Sequence, residues 1–459
     1  MARKIIEAET EITKFKFPNI GVGEYGGIAV NIKNTLPGQK VKARIVKKRR
    51  SYIGQAIEKT QAADYEIEPL CPDFLNCGSC TFQNRSYDKE LDIKKNMVSD
   101  ILNGAGFNLG FDIAPSIVPS PKISGYRNKM EFSFGDNGIG SDLELGMRKM
   151  GSFYEVVTSR HCNIIDKDFR EILLGTLNFF RANNEPFYHK KLHTGSLRHL
   201  VIRKGSFTNE IFVNLVTASG FGADIGAYVN LIKSLNIEGE MVGISHTINN
   251  SLSDVVKADG FNLLYGRSYF YERINNLIFK ISPFSFFQTN SAGAEVLYNT
   301  VVEFAGGISG KVVFDLYCGT GVIAQIVARH AKKVYGVEII EEAVDAAIEN
   351  ASLNNLNNCE FITGDVLRVV DGLNIKPDII VLDPPRDGVH PKALEKIISF
   401  GAETIIYVSC KPTSLARDLQ ILIGSGYNLQ KIKCHDMFPR TYHVETVCLL
   451  SAARDGCEI

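Results

Sequence analysis

The sequence predicts a multidomain α/β protein: a small N-terminal β barrel, a mixed central α/β domain and a C-terminal Rossmann-like domain. Three observations carry this. At 459 residues the chain is longer than one ordinary domain. Its first 62 residues break into short strand-like segments separated by glycine turns. From about residue 286 onward, strand-like and helix-like segments alternate regularly, the pattern of a parallel sheet with crossover helices. The expected divisions are 1–62, 63–285 and 286–459.

Apolar residues make up 45% and charged residues 22%, the balance of a soluble globular protein. No run approaches the roughly 20 apolar residues of a membrane span. Met1-Ala2-Arg3-Lys4 and the mixed charge after it lack the apolar core of a signal peptide. A cytoplasmic, membrane-free protein is the expectation, with a monomer as the default. Its ten cysteines are then better suited to metal binding or catalysis than to disulfides.

In residues 1–62, Gly21, Gly23, Gly26 and Gly27 break the chain, Ile28–Ile32 reads as a strand and Leu36-Pro37-Gly38 as a turn. Val41–Val46 alternates apolar and basic residues, a half-buried strand with Lys42 and Arg44 outward. The whole chain is neutral, yet this segment holds 13 Lys or Arg against 5 Glu. Lys47, Lys48, Arg49 and Arg50 complete a basic cluster fit for phosphates, or simply a solvated strand face. The glycines, the Leu-Pro-Gly turn and the basic strand together resemble the TRAM domain, an RNA-binding barrel of the oligonucleotide-binding (OB-like) type.

Between 63 and 285 the chain reads as a cysteine cluster, a helix from Tyr87 to about Leu102, helices over Phe169–Arg181 and Ala223–Leu235, and strands at Val213–Thr217 and Met241–Ile244. Tyr126-Arg127-Asn128-Lys129 and Leu197-Arg198-His199-Leu200 read as polar, basic surface strands.

In the C-terminal part, Lys311–Tyr317 is an apolar strand running into Cys318-Gly319-Thr320-Gly321 and then a helix. Such a turn brings bare backbone to a ligand at the sheet's C-terminal edge. The next strand ends in Glu338, 23 residues after Asp315, where a carboxylate accepts hydrogen bonds from ribose hydroxyls. The turn is too short for the Gly-x-Gly-x-x-Gly pyrophosphate cradle, which points to a nucleoside cofactor without a pyrophosphate. Asp365 and Asp383 end two further strands. Each acid taken singly could be a helix N-cap. Four in order, one per strand end, resemble the Rossmann-like class I methyltransferases.

Thr404–Ser409 leads into Cys410, a thiol at a strand tip and outside the core. Downstream, Pro439–Val447 sets Glu445 in a strand-like segment beside Arg440 and His443. A thiol and a carboxylate are the minimum set for methylating carbon 5 of uracil. A thiolate adding at carbon 6 gives carbon 5 carbanion character, and a base must then remove the carbon 5 hydrogen so that the thiolate can leave.

Phe286-Phe287-Gln288-Thr289-Asn290, Asp315–Gly321, Asp383-Pro384-Pro385-Arg386, Ser409-Cys410 and His443-Val444-Glu445-Thr446 run in the order of the motifs of the RNA uracil-5-methyltransferase family, which the chain resembles. The resemblance implies S-adenosylmethionine as methyl donor, Cys410 as nucleophile and Glu445 as base. It matches Gln288, Tyr317, Glu338 and Asp383 to cofactor-binding positions. Asp365 is a candidate by strand position alone. Phe284, Phe286, Phe287 and Tyr317 could line a pocket for the flipped uridine, although core packing is the commoner fate of a phenylalanine.

Cys71, Cys77 and Cys80 follow the spacing C-x5-C-x2-C, and Cys162 is the next cysteine along the chain. Spacing alone leaves zinc, an iron–sulfur cluster and free thiols open. Ribosomal RNA members of the family carry this pattern with a later Arg-His-Cys, here Arg160-His161-Cys162, so the resemblance implies a [4Fe–4S] cluster. It also implies RNA as partner, 23S ribosomal RNA ahead of transfer RNA, because the transfer RNA members generally lack the barrel and the cluster. A cytosine-5 enzyme would need a cysteine in the Asp383-Pro384-Pro385-Arg386 loop. An exocyclic-amine methyltransferase would leave Cys410 and Glu445 without a role, as would a non-catalytic RNA-binding scaffold.

Overall fold

The computed structural model describes residues 5–107, 109–110, 113–138, 140–252, 258–372 and 375–453, with backbone only for 370–372.

The first part is a six-stranded sheet in the order Ile5–Glu11, Lys40–Lys48, Ser51–Gln61, Ile28–Lys33, Ile20–Tyr25 and Lys14–Lys16. Alternation decides its faces. Val41, Ala43 and Ile45 are buried with Ala8, Ile12, Val30 and Ile32, while Lys42 and Arg44 stand outside beside Glu7. The sheet rolls up. Thr13 donates its amide to the Val22 carbonyl, and the Thr10 hydroxyl donates to the Glu24 carbonyl at 3.0 Å. The first strand thereby meets the strand near the other edge.

The central sheet has seven strands, running Val156–Thr158, Glu144–Arg148, Lys129–Gly135, Leu197–Lys204, Glu210–Thr217, Glu240–Ile248 and Gly260–Gly266. Helices Lys167–Ala182 and Ile225–Ser234 bury one face through Phe169, Leu173, Leu177, Tyr228 and Ile232. Arg198 and His199 are corrections to the sequence reading. Both are buried, and the Arg198 guanidinium donates to the carbonyls of Asn249 and Ser251. Tyr126 is buried too, its hydroxyl donating to the Pro439 carbonyl. These segments carry polar groups inward because backbone carbonyls are there to satisfy them.

The third sheet has eight strands: Cys359–Thr363, Lys333–Glu338, Val312–Leu316, Ile379–Leu382, Thr404–Ser409, Glu445–Ala452, Tyr427–His435 and Ser116–Val118. The first five are parallel, and Glu445–Ala452 runs antiparallel to both its neighbours. Central strands such as Ile379–Leu382 are buried throughout, as parallel strands covered on both faces require. The edge strand Ser116–Val118 comes from the 63–285 segment, as does helix Tyr87–Gly104, whose Met97, Val98 and Leu102 enter this sheet's core. Tyr87–Gly104 and Ser116–Val118 therefore belong structurally with the C-terminal sheet, so the chain leaves that unit, builds the central sheet and returns.

Candidate active site

The parallel strands of the third sheet end on one edge, which gathers the acids. Val312–Leu316 passes through Asp315 into a tight turn with Tyr317, Gly319 and Gly321 at φ +67°, +53° and +72°. At Gly321 a Cβ would lie 2.6 Å from the Phe361 ring, so glycine is required there for packing as well as for conformation. Glu338, at the next strand end, accepts the amides of Ile339 and Ile340 with one oxygen and that of Gly319 with the other, at 2.8, 3.0 and 3.1 Å. It holds the turn that leads into helix Glu341–Leu353 and also anchors the glycine turn. Asp365 caps the following helix through the Leu367 amide at 3.0 Å and lines an open pocket with Ile339, Thr363, Gly364 and Arg368.

Register brings the two chemical candidates together. Thr404–Ser409 pairs antiparallel with Glu445–Ala452, with Val408 opposite Val447 and Ser409 opposite Thr446. Cys410 follows Ser409 and Glu445 precedes Thr446, so the two lie at the same end of the paired strands, where the Glu445 charge acts on the thiol. Burial raises the Glu445 carboxyl to about 8, and Asp383 raises it further while Arg386 opposes the rise. Burial lifts Asp383 to about 7. The Cys410 thiol is pushed up to about 11 by burial, then by Glu445 and Asp383, with Arg386 again pulling down. Three proton-holding groups thus share one low-dielectric corner with one guanidinium.

Gln288 hydrogen-bonds the buried Tyr298 hydroxyl, which also feels Asp383, Asp315 and Glu445. Gln288, Asp383, Cys410 and Glu445, all named from the sequence, lie around this corner. The sequence reading passed over Tyr298, whose only mark is its place on the buried face of helix Ser291–Ala305 with Ala294, Leu297 and Val301. It noted Arg386 only as the last residue of the Asp383-Pro384-Pro385-Arg386 segment. The Arg386 guanidinium lies 3.1 Å from His443 Nδ1, whose ring burial drives down to about 4. His443 is therefore neutral and able to accept that hydrogen bond.

The segment leading to Glu445 is braced from every side. Lys94, fully buried, binds Glu90 at 2.8 Å, Asp436 at 2.6 Å and the Phe438 carbonyl. Arg440, at φ +68°, accepts the amides of Thr81 and Phe82 on its carbonyl. Its own amide donates to Glu90 at 2.7 Å. Asn290 donates to the Met437 carbonyl.

Thr81 and Phe82 directly follow Cys80, so the cysteine segment touches this brace. Cys71, Cys77, Cys80 and Cys162 all line one enclosed pocket with Phe74, Met130, Met147 and Val157. None is in a disulfide. Burial raises Cys80 to about 12 and Cys162 to about 11, and the other thiols of the set add to both. As they stand, however, no three His, Cys, Asp or Glu among the described residues are close enough to hold a metal ion. The expected ligand set is met in neighbourhood and not in ligating geometry. As a donor set, four thiols around one pocket suit a metal–sulfur group.

Among the described residues, no helix is long and apolar enough to cross a membrane.

Comparison with known proteins bears on this architecture. Residues 252–453 match the family model described as tRNA (Uracil-5-)-methyltransferase. An uncharacterized RNA methyltransferase of Clostridium tetani is 51% identical over 97% of both chains. One of Caldanaerobacter subterraneus subsp. tengcongensis is 47% identical over 96% of this chain and 97% of its own. Among solved structures, the Pyrococcus abyssi tRNA (uracil-54, C5)-methyltransferase in complex with S-adenosyl-L-homocysteine superposes with a TM-score of 0.75 at 28% identity, covering 97% of this chain and all of that one. With strand ends, thiol and carboxylate arranged as above, the chain belongs to the RNA uracil-5-methyltransferase family.

Proposed function

We propose that the protein transfers a methyl group from S-adenosylmethionine to carbon 5 of a uridine in RNA, with Cys410 as covalent nucleophile and Glu445 as base. The observation that supports this reading is that Cys410 and Glu445 lie at one end of a paired strand couple and share Asp383 and Arg386 as charged neighbours. Cys410, as thiolate, adds to carbon 6 of the ring, and carbon 5 then takes the methyl group from the sulfonium. Glu445 removes the carbon 5 hydrogen, and the electron pair released re-forms the ring double bond and expels the thiolate. A carboxyl near 8 is half-ionised at about pH 8 and holds its proton in most molecules at neutrality, so it can both take and give up a proton close to that range. Arg386 favours the thiolate against the surrounding acids. Gln288, Tyr317, Glu338, Asp365 and Asp383 form the cofactor side, with Glu338 facing the ribose.

The four cysteines hold a [4Fe–4S] cluster in this reading, in a structural role; the shared enclosed pocket supports it. Residues 1–62 act as a TRAM-type RNA-binding barrel, supported by Lys42 and Arg44 on its outer face. Their presence with the cysteine set favours 23S ribosomal RNA. A second reading, transfer RNA, draws on the full-length likeness to the Pyrococcus abyssi enzyme, a transfer RNA methyltransferase that the chain matches end to end.

The test is nucleoside mass spectrometry after incubating unmodified 23S ribosomal RNA fragments and transfer RNA transcripts with methyl-labelled donor. Labelled 5-methyluridine is expected, and the RNA that yields it decides between the two substrates. Label in 5-methylcytidine or a methylated adenosine instead would overturn the roles given to Cys410 and Glu445.

A further inference from the structure

Arg203 lies in the central-sheet strand Leu197–Lys204, paired with Phe212 on one side and Lys129 on the other. It is 2% exposed. Its charge meets no carboxylate; burial alone shifts it, downward to about 9. Its charge in turn helps burial to hold Lys129 down. A buried, unneutralised guanidinium is unfavourable unless its donors are well used.

One nitrogen carries the contacts, while the buried Nε finds no hydrogen-bond partner among the described residues. Nη1 reaches the carbonyls of Ser282, Pro283 and Ser285 at 2.8, 3.1 and 2.8 Å. The Phe270 ring packs against the guanidinium, 5.3 Å from its carbon. The Ser285 amide donates to the Ser282 hydroxyl, and the two serine hydroxyls are 2.6 Å apart. Residues 282–285 therefore form a small arch whose carbonyls converge on Arg203. Turning the carbonyls inward leaves the rings outward: Phe284 is 45% and Phe286 72% exposed. Phe284 packs edge-on against Phe261 of the central sheet's last strand, 5.7 Å between centroids. Three residues beyond Ser285 comes Gln288, whose side chain acts on the buried Tyr298 hydroxyl at the acid corner.

We infer that Arg203 is a positioning residue for methyl transfer: from the central sheet it fixes the arch Ser282–Ser285, and so sets where Phe286 and Gln288 meet RNA and cofactor. The inference rests on the proposed function, because Gln288 matters only if the edge it serves is the reaction site. A three-way clamp on successive carbonyls removes the backbone freedom that an irregular segment otherwise keeps. Misplacement of such a segment by an ångström is enough to slow a reaction by orders of magnitude.

The chain contains no tryptophan, so Phe286→Trp installs a single fluorescent reporter on the arch. Its steady-state anisotropy is compared with Arg203 intact and with Arg203→Met or Arg203→Lys. The kinetic constants are then measured for the Arg203 variants in the chain that keeps Phe286. We expect Arg203→Met to lower the anisotropy towards that of a free loop and to raise KM for RNA by about tenfold. The Lys variant, which keeps three donors on a shorter stem, should recover part of both. Thermal melting followed by far-UV circular dichroism should stay cooperative in all. Unchanged anisotropy and unchanged constants overturn the inference. So does a fall that appears only with loss of cooperative melting in both variants, since Arg203 would then be a structural tie. The anisotropy measurement needs no methyl transfer. A protein that made no 5-methyluridine would therefore refute the function while the arch still responded to Arg203.

Discussion

Two regions of the molecule crowd proton-holding groups into apolar surroundings, and they do so differently. At the strand edge, Cys410, Glu445 and Asp383 share a corner that also admits Arg386 and remains partly open, Cys410 being half-buried. In the cysteine pocket, Cys71 is buried and Cys77, Cys80 and Cys162 are half-buried like Cys410, but the charges that act on Cys80 are the other three thiols. A cation among the acids leaves the first group able to exchange protons with a substrate. Thiols facing only thiols leave the second group needing a positively charged occupant before its thiolates become stable. The same burial makes a reaction centre in one place and a binding site in the other.

The sharpest way to break this comparison is Cys410→Ala. It should lower 5-methyluridine formation by about 10³-fold or more, measured by mass spectrometry, because nothing else at the edge replaces the nucleophile. Retained turnover would reduce Cys410 to a packing residue. Next in size is Lys94→Met, which leaves Asp436 buried without its cation and Glu90 with Arg440 alone, at 3.6 Å. The expected loss is about 3–5 kcal/mol in denaturant unfolding. Lys94 lies on the brace between the two regions, so a fall in methyl transfer should accompany it. Removing one ligand, by Cys80→Ala, should abolish stoichiometric iron and sulfide after anaerobic purification and lower Tm by several degrees. Stoichiometric zinc without sulfide in the unaltered protein would end the iron–sulfur reading.

The smallest effect separates the two regions by pH. A folded-state carboxyl raised to about 8 keeps a proton that the unfolded chain, near 4.5, gives up. Below about pH 4 Glu445 is neutral in both states. The stability it withholds grows as pH rises from there, and is complete above about 8. Glu445→Gln removes that penalty, so its Tm should exceed the parent's increasingly between pH 5 and pH 9, by the equivalent of about 1–3 kcal/mol at the upper end. A constant difference across that range would place Glu445 in a wetter setting than burial indicates.

What the sequence disclosed is local. Acids at strand ends, the glycine turn, the basic alternation of residues 41–46 and the helix beginning at Tyr87 all show in short windows, because they follow from periodicity and turn chemistry. Hidden from such windows were the pairings between distant segments. Nothing near Cys410 says that it shares one end of a strand pair with Glu445; that follows from antiparallel register. Lys94 and Asp436 are 342 positions apart, and the carbonyls that employ Arg203 lie some 80 residues downstream. Arg198 and His199 read as surface because they are polar, while the structure buries them. The cysteine spacing was legible, but its closure on one pocket through Cys162 belongs to the fold.

The strand Ser116–Val118, hydrogen-bonded alongside Lys433–His435, has a consequence for how the protein is made. At about 5–20 residues per second of synthesis, Lys94 leaves the ribosome some tens of seconds before Asp436 exists. The early helix and strand must wait, with the central sheet already complete behind them, until the last of the chain arrives to cover them. A fragment begun at residue 286 would face the opposite difficulty. Its Tyr427–His435 strand would be born as a bare edge, ready to pair with another copy.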